Sequence, residues 1–118
     1  MTARVVYVDD EAMLCRAFRL LMRRTSVEVE TFTDPALALA YLCSHDATVI
    51  FCDYRMPRMN GLQLLEALPG TTPFYVVSGD LDAAQWVADN PRVSGVLPKP
   101  FLADRIAAIV QRHVAADN

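Results

Sequence analysis

Asp9, Asp10, Asp53, Ser78 and Lys99 are the residues of this chain that most invite a chemical reading. Each stands at the end of a short apolar run. Val5-Val6-Tyr7-Val8 leads into Asp9-Asp10, residues 47–52 into Asp53, Phe74-Tyr75-Val76-Val77 into Ser78-Gly79, and Gly95-Val96-Leu97 into Pro98-Lys99-Pro100. Of the 11 basic residues, ten are arginine, so Lys99 is the sole lysine. A lone lysine between two prolines, where the chain is stiff, is an odd choice for a solubilising surface charge. Carboxylates brought close together repel and raise one another's pKa unless a cation is present. A hard divalent ion such as magnesium relieves that, since it binds through one or two carboxylates plus waters. Magnesium and a lysine ammonium together make a site for three phosphoryl oxygens. A carboxylate inside such a site is a candidate nucleophile, giving an aspartyl-phosphate.

That chemistry requires elements that bring the five residues together. Residues 4–8 read as a compact apolar strand, followed by a helix through about Arg24, with Leu14, Ala17, Phe18 and Leu21 on one face and Arg16, Arg19 and Arg23 opposite. The arginine stripe reads as a solvated face. Residues 27–32 alternate Val27 and Val29 with Glu28 and Glu30, as an edge strand does. Asp34 is a good N-cap before Pro35, opening a helix through Cys43. A buried strand over residues 47–52 ends in Asp53. A Pro- and Gly-containing loop then leads to a helix over residues 62–68. A fourth strand (74–77), a short helix (81–89) carrying Trp86, a fifth strand (95–97) and a last helix from Leu102 to about Val114 complete the chain. On the last helix Leu102, Ile106, Ile109 and His113 form one stripe. Five βα units with near-continuous apolar strands imply a parallel sheet covered on both faces. In about this length they suggest the flavodoxin-like doubly wound α/β order 2-1-3-4-5, with the functional crevice beyond the carboxyl ends of the strands. Strands 1, 3, 4 and 5 are then neighbours, and all five chemical residues share one rim.

Each residue alone has a plainer explanation. Asp9 or Asp10 could be a helix cap, Asp53 a turn residue, Ser78-Gly79 an ordinary turn and Lys99 a surface charge. Four coincidences at four successive strand ends favour a common site instead. Composition sets the outer limits. The 118 residues are 53% hydrophobic and 21% charged with a net charge of -3, which fits one folded domain over residues 1–118 and disfavours disorder. No apolar run reaches the ~18–20 residues of a membrane span. Met1-Thr2-Ala3-Arg4 runs straight into the first strand, unlike a signal peptide. The acidic balance argues against nucleic acid as the primary partner. Cys15, Cys43 and Cys52 form no Cys-x-x-Cys pair and read as small buried residues in a reducing compartment, hence a cytoplasmic location.

Over its whole length the sequence resembles the receiver domains of two-component response regulators. The resemblance rests on Asp9-Asp10, on Asp53-Tyr54-Arg55-Met56-Pro57-Arg58-Met59-Asn60-Gly61, on Ser78-Gly79 and on Lys99-Pro100-Phe101. It implies Asp53 as phospho-acceptor from a phosphohistidine on a histidine kinase or phosphotransfer protein. It implies Mg2+ held by the side chains of Asp10 and Asp53 and the carbonyl of Arg55, with Asp9 reaching the ion through a water. Ser78 would hydrogen-bond the phosphoryl group, Lys99 would pair with it, and Gly79 would stay small so that the donor can approach. The Lys99–Pro100 bond is expected to be cis. Beyond its own phosphorylation and dephosphorylation no enzymatic activity is implied, and the phosphorylated domain would act on an output domain or target protein.

Two positions depart from the family pattern. Val96 stands where receivers usually carry the Tyr or Phe that reorients as the hydroxyl moves to the phosphate, and Tyr54 is bulkier and more polar than the usual aliphatic residue. The switch is therefore expected to run through the Ser78 loop, and the partner surface to combine the 81–89 helix, strand five and the last helix. A phosphohydrolase of the haloacid dehalogenase type would need its nucleophile after strand one and a second Asp two residues on, which Asp9-Asp10-Glu11-Ala12 lacks. A flavin-binding module would carry Ser, Thr and Gly there, not acids that repel a phosphate. A degenerate receiver serving only for docking is disfavoured by the complete acidic set and Lys99. The last helix is expected to close with no linker or output domain after it. The chain thus reads either as a free-standing receiver or as one cut from a longer regulator.

Overall fold

A computed structural model describes residues 2–80, 85 and 87–117. Trp86 and most of the helix expected over 81–89 lie outside the described residues. Five strands, β1 (Arg4–Val8), β2 (Glu28–Phe32), β3 (Val49–Asp53), β4 (Phe74–Ser78) and β5 (Val93–Pro98), form one parallel sheet in the order β2-β1-β3-β4-β5. Among the described residues four helices accompany it: α1 (Ala12–Leu21), α2 (Pro35–Leu42), α3 (Gly61–Ala67) and α4 (Ala103–Asp117).

Alternation along the strands divides the core. Val5 and Tyr7 of β1 face α1 and α4, where Phe18, Met22, Ile106 and Val110 pack against Phe51, Tyr75 and Val77. Val6 and Val8 face the other side, with Ala38 of α2 and Leu64 and Leu65 of α3. Because both faces are covered, the middle strands need no polar alternation, which is why β3 and β4 are buried at every position. The edge strand β2 keeps Glu28 exposed, paired with Arg4 of β1 at 3.0 Å.

Several boundaries differ from the sequence expectation for local reasons. The first helix stops at Leu21 rather than Arg24, because the amide and hydroxyl of Thr25 both donate to the carbonyl of Met22, at 3.0 and 2.6 Å, and turn the chain. Ala17 faces solvent; Cys15 and Met22 are the buried partners of Phe18. α2 begins as expected, with Asp34 accepting from the amide of Ala36 at 2.9 Å. α3 starts one residue early. Asn60 accepts from the Gln63 amide at 2.8 Å while the Gln63 side chain accepts from the Asn60 amide at 2.9 Å, a reciprocal cap. β5 starts two residues early, at Val93, with an irregularity opposite Phe74 where the Ser94 hydroxyl accepts the Phe74 amide. Leu102 is 62% exposed and precedes α4, so it is not part of the buried stripe of that helix. Cys15 and Cys52 are buried, whereas Cys43 is exposed at the end of α2.

Two glycines near the strand ends differ in what a side chain would meet. A Cβ on Gly61 would lie 2.7 Å from the carbonyl oxygen of Asp53, a backbone atom that cannot step aside. A Cβ on Gly79 would meet only the Cβ of Lys99, at 3.7 Å. Gly61→Ala is therefore expected to destabilise by about 1–3 kcal/mol, and Gly79→Ala to stay within about 0.5 kcal/mol of wild type. Urea denaturation of the two variants checks this; equal stabilities would contradict the close approach at Gly61.

Candidate functional site

Strand register places the reactive residues. Val8 pairs with Cys52 and Asp53 with Val77, so Asp9 and Asp53 emerge side by side at the carboxyl ends of β1 and β3. Ser78 ends β4 opposite Pro98 of β5. The backbone ties these ends together: the amide of Tyr54 donates to the Val77 carbonyl at 3.1 Å, and that of Lys99 to the Ser78 carbonyl at 3.1 Å. The Lys99–Pro100 bond is cis, as expected.

Asp9 is fully buried and Asp53 is 4% exposed, while Asp10 lies exposed at the rim. One carboxylate oxygen from each of the three lies within 4.8 Å of the others. Lys99 reaches across the cluster, its Nζ 3.2 Å from Asp9 Oδ2, 3.2 Å from Asp53 Oδ2 and 3.5 Å from Glu11 Oε1. The hydroxyl of Ser78 accepts from the Asp80 amide at 3.0 Å and donates to the Asp80 carbonyl at 3.3 Å. Arg55 pairs with Asp80 over the opening. A cleft of about 730 Å³ is lined by Glu11, Asp53, Arg55, Ser78, Gly79, Asp80 and Lys99. A broader groove of about 1280 Å³ at the opposite end of the strands holds Arg4, Glu28 and His45. Arg4 there is paired with Glu28, and no comparable set of carboxylates converges on it among the described residues.

The charges do not balance. Burial pushes the carboxyl of Asp53 up to about 6, helped by Asp9 and Asp10, and Lys99 offsets only part of that. Burial acts to lower the Lys99 ammonium, but Asp9 and Asp53 outweigh it and hold it above its ordinary value. A cluster with surplus negative charge and oxygen donors fits a hard divalent cation. No helix among the described residues is long and apolar enough to cross a membrane.

Asp9, Asp10, Asp53, Ser78, Gly79 and Lys99 thus meet where the topology argument put them. Arg55 lies on the loop beyond Asp53. Val96 stands half-buried beside Val76 on the α3 side of the sheet, where it offers no hydroxyl and no ring. Sequence reasoning missed three participants: Glu11, the Arg55–Asp80 pair and Tyr7. The hydroxyl of Tyr7 donates to Asp9 Oδ2 at 2.8 Å. The available signal was a tyrosine in a valine strand two residues before an acid, hence on the same side of the strand.

Comparison with known proteins agrees with this geometry. The family model described as response regulator receiver domain matches residues 5–111. The transcriptional regulatory protein KdpE of Mycobacterium tuberculosis is 32% identical over 119 residues, covering 95% of this chain and 53% of that protein. The DNA-binding transcriptional regulator NtrC of Escherichia coli is 32% identical over 113 residues, covering 92% of this chain and 24% of that protein. The chain therefore spans about half, or less, of the length of these relatives. Among solved structures, the chemotaxis response regulator CheY4 of Vibrio cholerae superimposes with a TM-score of 0.83 at 26% identity, over 96% of this chain and 99% of that one. A Francisella response regulator receiver domain shares the fold with a TM-score of 0.86 at 18% identity, over 99% of this chain and 100% of that one. With a family match over nearly its whole length and the acidic cluster, hydroxyl and lysine gathered at one sheet end, the chain belongs to the response regulator receiver domain family of two-component signal transduction.

Proposed function

We propose that Asp53 is the phospho-acceptor of this receiver, that Asp10, Asp53 and the carbonyl of Arg55 hold Mg2+ with Asp9 behind them, and that the donor is a phosphohistidine on a histidine kinase or phosphotransfer protein. The observation that carries the reading is Lys99 held within 3.2 Å of both Asp9 and Asp53, in a cluster still short of positive charge. An oxygen of Asp53 bonds to phosphorus as the phosphorus–nitrogen bond to the donor imidazole breaks, and the imidazole leaves with the electron pair. Lys99 orients the Asp53 carboxylate and then neutralises an equatorial phosphoryl oxygen. Bound magnesium would supply further charge neutralisation at the phosphoryl oxygens. Ser78 turns its hydroxyl from Asp80 toward the phosphoryl group. Gly79 leaves room for the donor. Water later cleaves the acyl phosphate, so the domain acts catalytically only on its own phosphorylation state.

The added charge is nearly two units. Val96 cannot answer it with a moving ring, so the response runs through the Ser78–Asp80 backbone toward β5 and α4. That face, with the segment over 81–89, would meet an output domain or target protein. The reading treats residues 1–118 as one receiver domain working in the cytoplasm.

A small phosphodonor such as acetyl phosphate, given with Mg2+, is expected to add one phosphoryl group to wild type and none to Asp53→Asn. Equal uptake in intact-mass spectra would reject Asp53 as acceptor. Asp10→Asn is expected to weaken Mg2+ binding by about tenfold or more, because one of very few carboxylate ligands is gone. Lys99→Ala should bind the metal nearly as well yet accept phosphate slowly. Calorimetric titration separates the two.

Stability supplies a third expectation. The Asp53 carboxyl is raised from 3.8 to about 6, so the folded protein holds this proton more tightly than the unfolded chain. Stability from this group is unaffected below about pH 4, falls as pH rises through about 6, and is lowest above that. In metal-free buffer at neutral pH, Asp53→Asn should therefore be more stable than wild type by on the order of 1–3 kcal/mol, with the gap closing by pH 4. Thermal melts across that range measure it. An Asn variant less stable than wild type at pH 7.5 would mean that the carboxylate is better compensated than its neighbours suggest.

A further inference from the structure

Tyr7 takes no part in the acceptor chemistry, yet its hydroxyl sits inside the charged cluster. Its ring is fully buried, stacked on Phe18 at 4.6 Å and 13° and met edge-on by Phe101 at 5.9 Å. Packing on both sides fixes where the hydroxyl points. A phenylalanine would fill the same space and satisfy the same core. A buried hydroxyl costs free energy unless it is hydrogen-bonded, and the partner here is Asp9 Oδ2 at 2.8 Å. That same oxygen is the one Lys99 reaches at 3.2 Å. The other oxygen of Asp9, Oδ1, accepts from the amide of Glu11 at 2.9 Å. Asp9 thus accepts from three donors, two of them on Oδ2 and one on Oδ1. Among the described residues Asp10 has no comparable set, and Asp53 has Lys99.

We infer that Tyr7 is a positioning residue that clamps Asp9 and so weakens the hold of the acidic cluster on a divalent cation. A carboxylate that already accepts three hydrogen bonds has much of its charge compensated and little freedom to turn toward an ion. Magnesium binding is thereby left mainly to Asp10 and Asp53. Tyr7 also shares Asp9 Oδ2 with Lys99, which limits how far the ammonium is drawn away from Asp53. The proposal rests on reading Asp9, Asp10 and Asp53 as the cation site.

The test is Mg2+ titration of wild type, Tyr7→Phe and Asp10→Asn, followed by backbone amide shifts over residues 9–11 and 53–55 at one pH and ionic strength. Tyr7→Phe keeps the ring and removes the donor. It is expected to bind Mg2+ about tenfold more tightly, the size of effect that a lost hydrogen bond to a charged group produces. A purely structural role would leave the affinity unchanged or lower it, so an affinity within twofold of wild type, or weaker, overturns the proposal. A second measurement needs no substitution at Tyr7. In wild type labelled with 13C at tyrosine Cζ, with Tyr41, Tyr54 and Tyr75 assigned through their own Phe variants, the Tyr7 signal is expected to shift as Mg2+ saturates the site. A Tyr7 signal that stays fixed at saturation overturns the proposal even if Tyr7→Phe folds poorly. If wild type binds no Mg2+ at all, the cation-site reading falls and this proposal with it. If Asp10→Asn loses binding while Tyr7→Phe matches wild type, only the role of Tyr7 falls.

Discussion

Asp9 and Asp53 are pressed together by the register of two parallel strands, and Lys99 is the cation that spans them. Neither carboxylate can retreat. Asp9 follows directly on β1 and Asp53 closes β3, strands buried along nearly all their length, so moving either would drag the core with it. Like charges at this separation would normally drive the groups apart or protonate one of them. The fold does neither completely. It leaves Asp53 with a raised proton affinity and leaves Lys99 shared between acids rather than committed to one. The site is held in a state of surplus negative charge that an added cation would offset.

The surrounding hydrogen bonds serve the same constraint. Tyr54 is tied to Val77 and Lys99 to Ser78 through backbone amides, so the segments that carry the Asp53 carboxylate, the Ser78 hydroxyl and the Lys99 ammonium are fastened to neighbouring strand ends. Gly61 brings the start of α3 against the Asp53 carbonyl so closely that no side chain fits between them. On the far side of that helix, Arg92 donates to the carbonyls of Leu65, Leu68 and Gly70 at 2.9 to 3.1 Å, closing its carboxyl end. α3 is thus anchored at both ends, at its start against the Asp53 carbonyl beside the site and at its carboxyl end by Arg92.

What was legible in the sequence follows a physical division. Strand order and the convergence of Asp9, Asp10, Asp53, Ser78 and Lys99 could be read, because buried parallel strands leave a continuous apolar signal and their ends leave an abrupt polar one. Helix ends were less legible. The stop at Leu21 depends on Thr25 folding back onto Met22, and the start of α3 on a reciprocal cap between Asn60 and Gln63, both local bonds that periodicity does not register. Cys43 was read as buried from its apolar neighbours, but it falls on the outward turn at the end of α2. Pairings between distant loops, such as Arg55 with Asp80, carry no local sequence signal at all.

Tyr7 marks where the two parts of the molecule meet. Along β1 the side chains of Val5, Val6 and Val8 fill the core, and Asp9, the next residue, carries charge and accepts hydrogen bonds. Stability and reactivity are separated by a single residue step along the strand. That separation lets the strand ends hold mutually repelling groups while the strand middles supply the burial that keeps them there. Tyr7 alone on this strand belongs to both, with its ring in the stack against Phe18 of α1 and its oxygen on Asp9. Phe101, which closes the other side of that ring, lies two residues from Lys99 and two before α4. The Asp9 carboxylate is therefore in direct contact with a side chain packed between the first helix and the segment leading into the last. Among the described residues, this buried stack brings an aromatic hydroxyl into direct contact with the acidic cluster.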